Sequence, residues 1–193
     1  MTAMPSVEWV VAIAAGIGLA AATGFRVFLP FLIAGLAARA GALPLADGFE
    51  FLSTPGALVA LGTASAVEMV AYFVPGLDHL LDLLAAPVAI IAGAIASASV
   101  MTDLPPEVVW PVAILGGGGM AAATKISSAL VRAKGGLATA GLANPLVSAV
   151  ESGGAFVVAV AAIVIPLFCF TVLVMFAVWM LVRRRRLSSR ATS

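Results

Sequence analysis

Charge is scarce in this chain. Asp, Glu, Lys and Arg make up 10% of its 193 residues, against about 25% in an ordinary soluble domain. With 63% hydrophobic residues and a mean hydropathy of +1.18, it has too little polar surface to cover a water-soluble fold. The implied solvent is a lipid bilayer. Cysteine is almost absent: Cys169 stands alone, which excludes an internal disulfide and says nothing of compartment. Histidine is limited to His79, in GLDHLLD with Asp78 and Asp82. His79 and Asp82 have the i, i+3 spacing of a metal pair, but they open an apolar run, where acidic residues complement the positive end of a helix. No HExxH-type motif occurs, so no metal, cofactor or catalytic set is expected, and no nucleic-acid partner. A basic region ahead of the first apolar run is also missing. The first charge is Glu8, so that run should remain as an anchor rather than be cleaved.

What the chain does have is long apolar runs, at roughly 7–39, 56–74, 80–100, 108–131 and 144–182. A hydrocarbon core about 30 Å thick needs about 20 helical residues. The last run, at 1.5 Å per residue, would reach about 58 Å, and Pro166 divides it into 146–165 and 167–182. The reading is an all-α polytopic transmembrane bundle of about six spans, with residues 1–182 as one membrane domain and 183–193 as a basic tail. Thr54-Pro55 and Asn144-Pro145 each set a capping side chain before a proline at the first helical position. Pro75-Gly76 and the segment MTDLPPE mark turns.

Six spans place both termini on one side. With the tail LVRRRRLSSR in the cytoplasm, Arg132 and Lys134 between spans four and five are cytoplasmic too. Arg39 then lies outside with Asp47, Glu50, Asp103 and Glu107. This is the positive-inside pattern of a bacterial inner-membrane protein with cytoplasmic N- and C-termini. The tail reads first as a stop-transfer signal and second as a patch for anionic lipid.

Four ionisable residues fall within the spans: Arg26, Glu68, Lys125 and Glu151. Such groups cost about 2.5–3.5 kcal/mol near a helix centre by insertion scales, so they pair inside the bundle or line a wet cavity. Arg26 lies in GIGLAAATGFRVFLP, four residues before Pro30. A proline cannot donate to the carbonyl four residues back, and here that carbonyl belongs to Arg26. The first span is therefore expected to break near Arg26–Pro30, with the guanidinium and a freed backbone oxygen at one level. Asn144 marks the approach to span five.

ILGGGGMAAATKISSALVRAK in span four carries four consecutive glycines, each about 1 kcal/mol worse than alanine in a helix. Gly117 and Gly118 are candidates for a hinge or for close helix packing. GGGGMAAATK is not a phosphate loop, because the spacing is wrong and no strand leads into it. Rows of small residues at four-residue spacing, Gly16–Ala20–Gly24 and Ala85–Ala89–Gly93–Ser97, should be helix-contact faces. GIGLAAAT (16–23) resembles GGGMAAAT (117–124), and SAVE recurs at 65–68 and 148–151. Two three-span halves, 7–103 and 106–182, of inverted topology would account for the order, although both SAVE glutamates fall toward the same side.

ATGFRVFLPFLIAGLAARAG (22–41), Thr124-Lys125 and GLANPLVSAVE (141–151) resemble a bacterial membrane protein family catalogued only as a domain of unknown function. The resemblance covers most of the chain apart from the arginine tail. Members of that family often carry an acidic residue after the glutamate matching Glu151, where Ser152 stands here. The resemblance implies no activity. From the residues, the leading expectation is a small permease whose polar site comprises Arg26, Glu68, Lys125, Glu151 and Asn144, acting on a small anionic solute. The alternative is an assembly or lipid-handling protein whose charges only knit helices; a homo-oligomer is open under either reading. A serine–lysine dyad of Lys125 with Ser127 or Ser128 is the weakest reading, since i, i+2 or i+3 spacing does not ensure contact.

Overall fold

A computed structural model describes residues 7–72, 77–102, 104–139, 144–166, 168–176 and 178–179, with backbone alone for 77–84, 135–139 and 144–145. The described residues are helical throughout apart from short turns. The helices are α1 (Val7–Phe25), α2 (Phe28–Arg39), α3 (Pro55–Ala71), α4 (Leu77–Ala98), α5 (Pro106–Val112), α6 (Gly119–Thr139) and α7 (Asn144–Val164), with a 3-10 turn at Glu50–Ser53. A π-helical segment, Ala113–Gly118, joins α5 to α6. The described part of that joined helix, Pro106–Lys134, is long and apolar enough to cross a membrane, as are Val7–Phe25 and Leu146–Val164. Phe28–Arg39, Pro55–Ala71 and Ala85–Ala98 are shorter apolar helices.

The packing inverts that of a soluble protein. Large side chains point outward: Val59 is 71% exposed, Leu115 77% and Val157 63%. The interior is built mainly from Ala14, Ala20, Ala22, Ala121, Ala159 and their like, while Arg26, Lys125, Arg132 and Glu151 are buried. In water, charges go out and Leu and Val go in. Lipid removes the hydrophobic drive between helices, and small residues then select the contact faces. This is a membrane protein.

The small-residue rows do form those faces. A carbon added to Gly16 would meet the Ser97 carbonyl at 2.7 Å, and Ala20 and Ala121 both lie against Gly93. A carbon on Gly117 would meet Ser97 Cβ at 2.5 Å and the Gly93 oxygen at 2.9 Å. The row on α4 thus lies in the seam between α1 and α6. Close packing therefore explains Gly116, Gly117 and Gly118, where the π segment ends, while Gly119 faces open space.

Those contacts also fix helix direction. Gly16 faces Ser97 while Ala20 faces Gly93, so α1 runs antiparallel to α4. Gly18 meets Ala162 and Phe25 meets Gly154, so α1 is antiparallel to α7 as well. After α2 the chain reaches Val100 and Val7 through residues 42–44, and Ala46 N donates to the Ser99 oxygen just past α4, so α2 runs toward the same end as α4 and parallel to it. Hence α1 and α2 are antiparallel, and the chain reverses between Phe25 and Phe28.

The run 7–39 was expected to be one crossing, broken in passing. It is instead a helical hairpin. Pro30 is not an interior breaker: it occupies the first turn of α2, where a missing N–H is harmless. A second correction follows from this reversal. Val7 lies at the end of the bundle shared by loop 42–44, Val100 and Pro166. Arg132 and Lys134 lie toward the opposite end, so the sequence expectation that set the start of the first span on their side fails by one reversal. Residues 180–193, with the arginine tail, are outside the described residues.

A third correction concerns the repeat. Ile17 lies beside Gly116, and Gly24 beside Ala121 and Thr124, so the two similar segments lie side by side and parallel. Inverted halves would set them antiparallel. The hairpin gives the first half four helices instead of three, which restores a common direction.

The expected capping holds at α3, where Thr54 accepts from Ala57 N at 3.3 Å and Pro55 opens the helix. Between α2 and α3, Gly41 and Gly48 take positive φ, and Ala46 N donates to the Ser99 oxygen at 2.9 Å, tying the loop to the end of α4. At Pro166 the backbone bends and helix resumes over 168–176. Cys169 Sγ lies 3.9 Å from the Val158 oxygen, whereas eleven residues of straight helix would separate them by about 16 Å. The chain folds back there and does not continue as a kinked rod.

Candidate functional site

The charged residues gather where the α1–α2 reversal meets α3, α6 and α7. Arg26 follows the last residue of α1 and is 0% exposed. Its Nε donates to Ser152 Oγ at 3.0 Å, and its Nη2 donates to the Ser148 carbonyl at 3.0 Å and to Ser148 Oγ. Glu151 Oε2 lies 3.8 Å from Nη2. Ser148, Glu151 and Ser152 are one face of α7, at i, i+3 and i+4. Arg26 Nη1 is buried without a hydrogen-bond partner among the described residues.

Glu151 is shared. Its Oε2 is also paired with Arg132 Nη2, and its Oε1 accepts from Ser128 Oγ. Lys125, Ser128 and Arg132 form a stripe along two turns of α6. Arg132 was expected in a cytoplasmic loop. It lies on α6, 6% exposed, because that helix runs on to Thr139.

Tyr72, at the end of α3, is the hub. Its ring has Arg26 Cζ 4.2 Å from the centroid, Arg132 Cζ at 4.7 Å and Lys125 Nζ at 5.5 Å. The Lys125 ammonium also donates to the Tyr72 hydroxyl at 3.3 Å. An aromatic face attracts cations, and the more so when they are desolvated. Ser127 donates to the Ala123 carbonyl at 2.6 Å and Ser128 donates to Glu151, so both hydroxyl protons are directed away from a lysine base.

Glu68 reaches the same junction from α3. Its Oε1 accepts from Val27 N at 2.8 Å and its Oε2 from Phe28 N at 3.1 Å. The residue before α2 is Val27, which has no side-chain cap to offer. A carboxylate from the neighbouring helix takes that place and answers the positive end of α2.

Of the residues expected to form the site, Arg26, Lys125 and Glu151 come together around Tyr72, and Glu68 holds the adjoining backbone. Asn144 opens α7, one turn before Ser148, and its side chain lies outside the described residues, as do those of Asp78, His79 and Asp82. Gly117 and Gly118 face α4, at Ser97 and Ile90, and do not touch the charges. Pro30 is buried in α2. Sequence reasoning missed Tyr72 and Ser148, set Arg132 in a loop, and weighed Ser128 only as a dyad partner of Lys125 and Ser152 only as a departure from the family pattern. The i, i+3, i+7 spacing of Lys125, Ser128 and Arg132 was the available signal.

The model of a family described as a domain of unknown function (DUF4126) matches residues 13–186. The chain belongs to this family. The match runs from within α1 past the fold-back at Pro166 and takes in every residue of the charged cluster. No curated protein and no solved structure matches. In this DUF4126 chain, then, chemistry must be read from the cluster itself. It combines three cations and two carboxylates among the described side chains, in a setting where each charge is strengthened by the loss of water.

Proposed function

We propose that this membrane protein is a small permease-like carrier whose site is the charged cluster at the α1–α2 reversal, and that its substrate is anionic. The observation that carries the reading is Arg26. A fully buried guanidinium stands at a break between two helices, its Nη1 without a hydrogen-bond partner among the described residues, in a cluster that also gathers Lys125, Arg132, Glu68 and Glu151. Intramembrane charges of this kind mark substrate and proton paths, and broken helices in transporters converge on such sites. Glu68 and Glu151 are the groups that could exchange protons with the substrate's movement. The chemistry is binding and release, with no bond made or broken. The end bearing Arg132 and Lys134 faces the cytoplasm of a bacterial cell by charge bias, with Val7 at the other face.

The test is uptake into liposomes across a panel of anions, with and without a pH gradient. Wild type should move at least one anion, and Arg26→Gln and Lys125→Met, each eluting as wild type does, should slow it at least tenfold. Equal rates for wild type and both variants would overturn the proposal. The purely structural alternative draws on the bonds Arg26 makes to Ser148 and Ser152. It expects Arg26→Met with Glu151→Gln to restore stability and no anion to be moved by any variant.

A further inference from the structure

At the other end of the bundle, the end that bears Val7, a cavity of 640 Å³ lies between the α2–α3 loop, the end of α4 and the start of α5. Phe49, Met101 and Trp110 line it, together with Thr102 and one charged residue, Asp47. Asp47 meets no cation among the described residues. The loop is folded to present these groups. Ala46 N donates to the Ser99 oxygen at 2.9 Å, and Phe49 N donates to the Ala46 oxygen at 3.0 Å. The second bond closes a tight turn over residues 46–49. Its third residue, Gly48, takes φ +85°, which glycine adopts without steric cost. Asp47 and Phe49 therefore flank one glycine on a turn that is tied to the end of α4. Trp110 reaches the cavity from α5, one turn into that helix.

The wall selects among occupants by chemistry. It holds no cationic side chain for an anion. A calcium-like ion takes six to eight oxygens, and the lining side chains offer one carboxylate and one hydroxyl. An organic cation suits both parts of the wall, because aromatic faces attract substituted ammonium groups and Asp47 supplies the opposite charge. The volume falls within the range of small-molecule sites, about 300–1,000 Å³, and far exceeds one ammonium group, so the charge would be carried on a larger body. The surroundings have the same sign. Pro44 and Thr102 also line an adjoining cavity of 410 Å³ that contains Glu8, and Glu50 and Glu107 are exposed close by in the chain. Arg39, the one cation of this end among the described residues, donates to the Ser53 carbonyl at 3.4 Å.

We propose that this cavity binds a substituted ammonium group on an organic body, with Trp110 and Phe49 against the cation and Asp47 as its counter-ion. The site is separate from the charged cluster and does not depend on the carrier reading. Two sources supply such a group where a bundle end meets the headgroup layer: a free solute from water and the head of an aminophospholipid.

The experiment measures binding of radiolabelled choline to the purified full chain in nanodiscs of phosphatidylglycerol, alone or mixed with phosphatidylethanolamine, with empty discs as the blank. In phosphatidylglycerol alone choline should bind saturably. Benzyltrimethylammonium, with its larger body, should displace it at a lower concentration than unlabelled choline does. Neohexyl alcohol, the uncharged carbon isostere of choline, should not displace it. Asp47→Asn and Trp110→Leu should each weaken binding at least fivefold, and Trp110→Phe should weaken it less than Trp110→Leu. Both positions are exposed, Trp110 by 49%, so the variants should elute as wild type does. Weaker choline binding in the mixed discs would identify a lipid head as the resident ligand, and equal binding a free solute; either result supports the site. Displacement by neohexyl alcohol as effective as by choline would overturn the proposal. So would binding unchanged in both Asp47→Asn and Trp110→Leu, or no saturable binding above empty discs.

Discussion

Glu151→Gln is the substitution that best tests the charged cluster. Glu151 is 4% exposed and touches Arg26, Arg132 and Ser128. Glutamine keeps the volume and removes the charge, leaving guanidiniums 4.2 and 4.7 Å from one tyrosine ring without the carboxylate between them. Two magnitudes compete. If Glu151 were only one more interhelical hydrogen-bonding group, the loss should be small, since such bonds in membrane proteins average about 0.6 kcal/mol. If it is the counter-ion of a buried cluster, removing one partner strands charge and costs about 3–5 kcal/mol. For a chain of this size that is roughly 6–20 °C of melting temperature. Thermal unfolding in a mild detergent reads the difference directly. Glu68→Gln is the internal comparison: its amide oxygen can still accept from the start of α2, and about 1–2 kcal/mol should go. Adding Arg132→Met to Glu151→Gln removes one stranded cation and should recover part of the loss. A melting temperature for Glu151→Gln within about 2 °C of wild type, well under what 3 kcal/mol would produce, would refute the assignment of Glu151 as the shared counter-ion.

Other perturbations test other parts of the fold. Gly24→Ala should destabilise by about 1–3 kcal/mol, because the new carbon would sit 2.5 Å from the Ala121 carbonyl and 2.6 Å from Thr124 Cβ. Gly119→Ala, at a helical position with open space around it, should be neutral or slightly stabilising, and the same unfolding measurement shows both signs. Tyr72→Phe keeps the ring under its cations and should lose under about 1 kcal/mol, whereas Tyr72→Leu should lose about 2 kcal/mol or more with the cation–π contacts. At the fold-back, buried Cys169 should react slowly with maleimide. Gly18→Val, whose Cβ would lie 2.5 Å from Ala162 Cβ and 3.4 Å from Cys169 Sγ, should speed that labelling several-fold.

Much of the fold is legible because lipid simplifies the rules. The small-residue rows name the contact faces correctly, since packing is the interaction left to select them. Thr54-Pro55 starts α3 as the capping chemistry requires, and Pro166 marks the fold-back. The hairpin was hidden for a physical reason. Hydropathy counts residues that can live in lipid and is blind to direction, so 19 plus 12 helical residues with two between them read as one long crossing. Every topological error follows from that one miss: the side on which Val7 lies, and the inverted relation assigned to the segments at 16–23 and 117–124.

The site was legible where a residue is costly in lipid and illegible where it is cheap. Arg26, Lys125 and Glu151 announced themselves by charge. Tyr72, Ser128, Ser148 and Ser152 carry no such penalty, and only the folded helices show that they gather around the charges. The reversal explains why the charges have their signs. At Phe25 α1 ends, exposing carbonyls and the negative end of its dipole, and the next residue is a cation. At Phe28 α2 begins, exposing N–H groups and a positive end, and Glu68 lies on them. Two helix ends buried at one level would otherwise leave unsatisfied backbone in a dry interior. Arg26 and Glu68 thus stabilise the hairpin around which the charged cluster forms. Yet Arg26 would do so equally well with every nitrogen bonded, and a purely structural guanidinium has no use for Lys125 and Arg132 on the same tyrosine ring. The Nη1 donor, buried with no hydrogen-bond partner among the described residues, is the physical reason to assign the cluster a ligand.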